Sequence, residues 1–356
     1  MAWTRGLRRP GVAAALGAAV LFGAGTPLAK VSLESVSPWM LAALLYLGSG
    51  VGLTLLRYWR RAPRVRLPPG HWRWLAGAVL AGGVIGPVLL MLGLTRMPAA
   101  AASLMLNAEA VFTALLAWFA FRENFARRIA LGMLAIVAGA VVLSWPDEAP
   151  FGEAWPAFAV LAACFAWGID NNLTRKVSLA DATWIASIKG LAAGTMNLLL
   201  AIALGSALPA MPALAAAMVL GFLAYGVSLV LFVVGLRQLG TARTGAYFSV
   251  APFFGALIAI GLLGEPASLR LLIAGALMAL GVWLHLTVLH AHRPSHEAIE
   301  HEHGHEHDDH DQHAHGRLPV AARHSHRHRH EPLAHEHEHF PDAHHRHGHR
   351  RDRRAP

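Results

Sequence analysis

Three ionisable residues lie inside apolar runs long enough to cross a bilayer: Glu109, Asp170 and Lys189. A charge at the centre of such a run costs about 2.5–3.5 kcal/mol on insertion scales, so it must face the interior of a bundle or be neutralised. Glu109 lies eleven residues into a predicted span over 98–120. A carboxyl at that depth can take up a proton or hold a cationic substrate group. Asn107, two residues away, points to a different helix face, and both are candidates to line one cavity. The structural alternative is a protonated Glu109 hydrogen-bonded to a neighbouring helix.

Asp170 lies five residues before Arg175, about 7.5 Å of helix rise. Lys189 lies five residues into the next predicted span, which starts from the same side. Their similar depths allow an Asp170–Lys189 pair that acts as a gate. The alternative has Lys189 snorkelling to the interface and Asp170 capping, or solvated beside Asn171 and Asn172. Trp167, Tyr225, Tyr247 and Phe248 are candidates to line a cavity, with Pro87 and Pro252 as kinks beside it. No Gly-x-x-x-x-Gly-Lys phosphate loop and no His-Glu-x-x-His zinc motif occurs, so neither ATP-driven nor zinc-hydrolase chemistry is expected.

A second kind of chemistry is confined to the C-terminus. Residues 290–356 hold 21 of the 23 histidines. His301, His303, His305, His307, His310, His313 and His315 alternate with acidic or small residues. Imidazole suits Zn, Ni and Cu, and Zn, Ni or Co is the expected ion at the tail, but this spacing fixes no single geometry, so binding would be multi-site and poorly selective. Too few apolar residues are present to fold the tail. Two readings stand open: metal as cargo or regulator, or a passive buffer.

These residues must be positioned by the rest of the chain, which is strongly apolar. Of 356 residues, 55% are hydrophobic and 14% charged, against about 25% charged in soluble domains. The mean hydropathy is +0.43. Such a chain is a polytopic membrane protein rather than a soluble enzyme. One cysteine, Cys164, excludes a disulfide framework.

Ten apolar runs reach span length, near 11–29, 38–56, 74–95, 98–120, 129–145, 155–172, 184–204, 212–234, 244–263 and 271–289. The first run follows Arg5, Arg8 and Arg9 and reads as a span rather than a leader peptide, because it continues through Ala29. With the N-terminus in the cytoplasm, cytoplasmic segments carry 16 Lys/Arg and outer loops carry 3, namely Lys30, Arg96 and Arg270. That bias sets the orientation and returns the tail to the cytoplasm.

The sequence repeats. Lys30–Leu33 and Lys176–Leu179 both read KVSL. Leu92–Asn124 parallels Val234–Pro266, and each copy ends in a membrane-edge glutamate, Glu123 or Glu265. The offsets are 146 and 142 residues. Five spans per copy is an odd number, so the second copy enters from the opposite side. Inverted repeats place a binding site near the midplane and support alternating access.

Small residues, then Pro, an apolar run and Glu, as in Ala251-Pro252-Phe253-Phe254 through Gly264-Glu265-Pro266, resemble the EamA-type members of the drug/metabolite transporter superfamily. The resemblance covers about residues 11–289. The first copy departs from it, with Asn107, Glu109 and Ala110 where the second has Ser249, Ala251 and Pro252. The resemblance implies an all-α membrane protein of ten transmembrane helices, as two five-helix inverted-topology repeats (11–145 and 155–289), with a disordered His-rich tail (290–356).

The expected function is secondary transport, with export favoured, of small organic metabolites or drugs across a bacterial inner membrane, with proton coupling, and no enzyme activity. The alternatives are a divalent-metal exporter with a collecting tail and a membrane-anchored metal buffer. Expected partners are a small-molecule substrate, the lipid bilayer and divalent ions at the tail. No cofactor is required, nucleic acid is not expected, and a homodimer is allowed. Reporter fusions after residues 66, 149, 207 and 300 should read inside, outside, outside and inside; an external reading at 300 would remove the ten-span topology.

Overall fold

In hydrocarbon a backbone has no water to bond to, so a spanning segment must satisfy its own N–H and C=O groups. The chain does this with helices. The computed structural model describes residues 10–121, 127–145, 154–177, 180–239 and 241–286, together with four short extended stretches of the tail. The helices are α1 (Pro10–Ser32), α2 (Pro38–Trp59), α3 (Trp72–Ala78), α4 (Gly86–Leu94), α5 (Ala99–Met105), α6 (Ala108–Phe121) and α7 (Arg127–Ser144). They continue as α8 (Trp155–Thr174), α9 (Ala182–Ala203), α10 (Met211–Gly221), α11 (Ser228–Leu239), α12 (Thr241–Phe248), α13 (Ala251–Leu263) and α14 (Leu269–Leu286).

These group into ten rods. A π-helical stretch, Val79–Ile85, joins α3 to α4, and another, Phe222–Val227, joins α10 to α11. The fourth rod is broken at residues 106–107 between α5 and α6, and the ninth at 249–250 between α12 and α13. Continuous fourth and ninth spans were expected, and the breaks are a difference. They fall 143 residues apart, as do the starts of the two π stretches. The duplication therefore extends to the irregularities.

Among the described residues six rods are long and apolar enough to cross a membrane by length and composition alone. The 20-residue α8 is outside that set because its C-terminal part carries Asp170, Asn171, Asn172 and Thr174.

The packing has the pairing of a two-fold relation between halves. α2 packs on α9, α7 on α14 and α5 on α13, each joining equivalent rods of the two repeats. α1 packs on α11 and α13, and its counterpart α8 packs on α4 and α6. The α2–α9 contact depends on glycine. A Cβ on Gly190 would lie 2.7 Å from the Gly50 Cα, and one on Gly50 would meet the backbone of Leu191. Small residues of this kind let membrane helices approach backbone to backbone. Ends are conventional: Ser37 accepts from the Met40 N–H at the start of α2, and Gly264, at φ 68°, closes α13.

Residues 289–356 form a separate unit by contacts. Its described stretches are β1 (His290–His292) paired antiparallel with β4 (His337–His339), and β2 (Ile299–His305) paired antiparallel with β3 (His324–His330). In the second ribbon Glu300 stands opposite Arg329 and Glu302 opposite Arg327. These are the only described parts of a tail whose composition predicts no packed core. Of the expected metal ligands, His301, His303 and His305 are described in backbone only, and His307, His310, His313 and His315 lie outside the described residues.

Candidate functional site

The π stretch Val79–Ile85 widens the helix where Gly82 and Gly83 leave no side chain on that surface. π insertions inside α-helices are frequent at functional sites. Here the carbonyls of both glycines are met by side chains of other rods. Gly82 O accepts from the Tyr46 hydroxyl at 2.7 Å and from Trp167 Nε1 at 2.9 Å. Gly83 O accepts from Asn197 Nδ2 at 2.9 Å. A Cβ on Gly82 would collide with the Asp170 carboxylate. Glycine at 82 therefore makes the space that Asp170 occupies.

Asp170 and Lys189 form the pair. Lys189 Nζ lies 2.5 Å from Asp170 Oδ1 and 2.7 Å from Oδ2. Thr174, one turn along α8, donates to Asp170 Oδ1 at 2.8 Å, and its hydroxyl lies 3.3 Å from Lys189 Nζ. Asp170 is buried, at 7% exposure. The readings with a snorkelling Lys189 and a solvated Asp170 are thereby set aside in this conformation.

Glu109 stands next to this pair through Asn171. Glu109 Oε1 accepts from Asn171 Nδ2 at 2.8 Å, and the same amide lies 3.1 Å from Thr113 Oγ1. Asn172 ties α8 to α6 by donating to Thr113 O at 3.1 Å. Asp170 and Lys189 are close enough for their charges to act on the Glu109 carboxylate. Glu109 is not in the middle of a continuous span. It occupies the first turn of α6, directly after the break. The N-terminal end of a helix favours negative charge there.

Three other expected residues take different parts. Asn107 is 5% exposed, and its side-chain amide turns back to Leu104 O at 2.8 Å, beside the bond its own backbone N–H makes to the same carbonyl at 3.1 Å. Its geometry is that of a break-stabilising residue rather than a cavity-lining one. Pro252 was expected as a kink; it starts α13 instead, where its missing N–H costs no helical bond. Pro87 follows Gly86 where the π stretch runs without a gap into α4, so there the missing N–H falls inside a continuous rod. Tyr247 is half-buried, and the ring contacts run through its neighbour. Phe248 lies 5.3 Å from Phe22 and 4.9 Å from Phe232, centroid to centroid. Tyr225, in the second π stretch, lies 5.8 Å from both Phe22 and Tyr46.

The cluster reaches the surface only at Asn171. Phe158, Ala162 and Phe165 are exposed along one stripe of α8, the side that meets lipid. Asn171 is also exposed, yet it lies about 140° around the helix from Phe158 at 3.6 residues per turn. Behind it Asp170 is buried and Lys189 mostly so.

The far edge is tied shut. Lys30 donates to the carbonyls of Leu94 and Met97, at the end of α4 and just beyond it. Glu265 accepts from the N–H groups of Ala99 and Ala100 at 2.7 and 2.8 Å, capping α5 of the other repeat. Glu123, its counterpart in sequence, lies outside the described residues.

Thr113, Thr174, Tyr46 and the Gly82 carbonyl were not singled out from sequence. The polar run Gly168-Ile169-Asp170-Asn171-Asn172-Leu173-Thr174, inside a span, was the signal that could have found some of them. Among the described residues no group of three His, Cys, Asp or Glu is placed to hold a metal ion.

The profile of the EamA-like transporter family matches residues 9–145 and 154–287. An uncharacterized transporter of Methanothermobacter thermautotrophicus (strain Delta H) is 30% identical over 288 residues, covering 75% of this chain and 83% of its own. The uncharacterized inner membrane transporter YedA of Escherichia coli K12 is 24% identical over 264 residues, covering 70% and 81%. A solved crystal structure with 20% identity superposes with a TM-score of 0.58, over 76% of this chain and 94% of that one; this likeness concerns the fold.

Breaking one partner of a buried ion pair leaves an uncompensated charge. Asp170→Asn or Lys189→Met alone should therefore each destabilise the protein by about 3 kcal/mol, and the double variant by less than either. A double-mutant cycle on thermal unfolding in detergent measures this; additive losses would show that the two residues do not interact.

Proposed function

The chain belongs to the EamA-like transporter family, and we propose that it is a proton-coupled secondary transporter that exports small organic metabolites or drugs across an inner membrane. The observation that carries this is the Glu109–Asn171/Asp170–Lys189 cluster. It reaches the surface at Asn171, is flanked by a broken rod and a π stretch, and is built from rods of both repeats. Discontinuous helices at the repeat interface are where secondary transporters bind substrate and coupling ion.

In this reading Glu109 alternates between a proton and a cationic group of the substrate. Protonation removes the charge that holds the substrate, so uptake of one favours release of the other. The Asp170–Lys189 pair is the second element. A substrate carboxylate or ammonium that competes for one member frees the other and loosens α8 from α9. The Lys30 and Glu265 ties close the outer edge, in a conformation open to the cytoplasm. The 16:3 loop bias supports cytoplasmic termini.

Export of Zn, Ni or Co is the second reading, and the 21 tail histidines favour it. Against it, Lys189 occupies the carboxylate of Asp170, which an ion in the bundle would need. The tail is then a cytoplasmic metal-binding appendage, effective only while imidazole is neutral.

Glu109→Gln should abolish coupled flux in vesicles while the protein still inserts, and Glu109→Asp should keep part of it. Wild-type flux from Glu109→Gln would make the acid structural. Truncation after Leu289 should leave organic-solute flux intact and remove metal binding, which in the full chain should collapse between about pH 7 and 5.5. Loss of metal tolerance on truncation, with solute export unchanged, would favour the second reading.

A further inference from the structure

From Arg57 to Arg73 the chain carries six arginines and no acidic residue. Arg57 is already engaged. Its guanidinium meets Asp181 Oδ1 at 2.5 Å and Thr183 Oγ1 at 2.7 Å, and donates to Pro63 O at 3.0 Å. Burial alone would raise the Asp181 carboxyl. The Thr183 hydroxyl, the Trp184 N–H and the Arg57 guanidinium together hold it below its usual range. It is therefore ionised at neutral pH, and Arg57 stays bound to it.

The remaining five, Arg60, Arg61, Arg64, Arg66 and Arg73, are exposed. Between Pro63 and Pro68 the chain has no regular secondary structure, and exposure alternates along it: Arg64 and Arg66 are exposed, Val65 and Leu67 half-buried. One side of this loop is therefore cationic and the other is packed. The loop is flanked by headgroup-level aromatics: Tyr58 and Trp59 are each 84% exposed, and Trp72 is 48% exposed.

The packed side holds the loop in place. Leu67 and Trp74 pack on a cluster of Leu75, Val177 and Ile185, together with Trp184 and Ile188. The Trp72 and Trp184 rings meet edge to face at 6.1 Å. Ile185 and Ile188 belong to α9, the helix that presents Lys189 to Asp170. The cationic loop is thus fixed to the rod that carries half of the central ion pair.

We propose that residues 60–73 form a docking site for the headgroups of anionic phospholipids in the adjoining leaflet. Clusters of four to eight basic residues beside a membrane helix bind such headgroups, and the attraction falls off within a Debye length. The exposed guanidinium groups of Arg60, Arg61, Arg64 and Arg66 are each able to hold a phosphate oxygen pair, Arg73 is stacked over the Trp74 ring at 4.8 Å, and no carboxylate in the segment competes. The rigid seating lowers the ordering cost of binding. Bound lipid holds the loop on α9 and thereby the edge beside Lys189. A loop that serves only to orient the chain during insertion needs no such seating and has no headgroup preference once folded.

The inference rests on the orientation that places this loop at the cytoplasmic face. A reporter after residue 66 tests that orientation separately, whereas binding to purified protein does not depend on it. The full chain in detergent is titrated with short-chain phosphatidylglycerol or phosphatidylcholine, followed by thermal midpoint and by native mass spectrometry of bound lipid. Phosphatidylglycerol should raise the midpoint and remain bound, with the effect lost at high salt. The R60Q/R61Q/R64Q/R66Q variant should bind it roughly a thousandfold more weakly, with an unchanged midpoint in phosphatidylcholine. An R5Q/R8Q/R9Q variant should behave as wild type. Equal response to the two lipids would overturn the proposal, as would an equal loss of response in the N-terminal variant.

Discussion

The carbonyl oxygens of Gly82 and Gly83 lie where no water or lipid can bond to them, and the site is arranged around that fact. A regular helix would spend the Gly82 carbonyl on the Gly86 N–H, but Pro87 has no N–H to give Gly83. Where the π stretch meets this proline, a carbonyl without a helical donor must find another or cost several kcal/mol. Tyr46, Trp167 and Asn197 supply donors from three other rods. Those bonds fix the second, sixth and seventh rods against the third. Gly82 also provides the room that Asp170 occupies beside Lys189. An irregularity in one helix therefore sets the positions of the groups around the central ion pair.

The scaffold is two-fold, but its chemistry is one-sided. The π stretch and the broken rod recur in both halves, and the pairing of rods repeats with them. At the break, however, the first half has Asn107 and Glu109 and the second has Ser249, Ala251 and Pro252. Asn107 closes its break with a side-chain amide, whereas Pro252 begins the next helix without needing an N–H. At the breaks only the first half has a carboxylate, Glu109; the second half supplies Asp170 and Lys189 from other rods. A symmetric frame that can tilt either way, with charge placed off its axis, gives one set of groups to both faces in turn.

The edges obey the same constraint in milder form. Lys30 and Glu265 do not pair with each other; each bonds to backbone groups exposed where the third rod ends and the fourth begins. Both ties join sequence-distant rods at a loop, where water can replace them as the bundle moves. Such contacts are cheaper to break than the close glycine packing of α2 on α9, where backbone meets backbone. The core of the bundle and its mouth are thus held by interactions of different kinds.

Much of this was legible along the chain. Apolar length and loop charge predict ten spans, because hydrocarbon thickness and the cost of burying charge act on local sequence. The repeat was readable from KVSL and the two glutamates, and Glu109, Asp170 and Lys189 stood out as charges in spans. What the sequence could not supply was register in space. Whether Lys189 reaches Asp170 or the interface depends on how α8 and α9 are rotated, and packing of glycine against backbone decides that. Asn107 and Glu109, two residues apart, look alike as polar intrusions. The break at 106–107, closed by local backbone bonds and by the Asn107 amide on Leu104 O, turns one into a cap and leaves the other in the first turn of α6, bonded to Asn171.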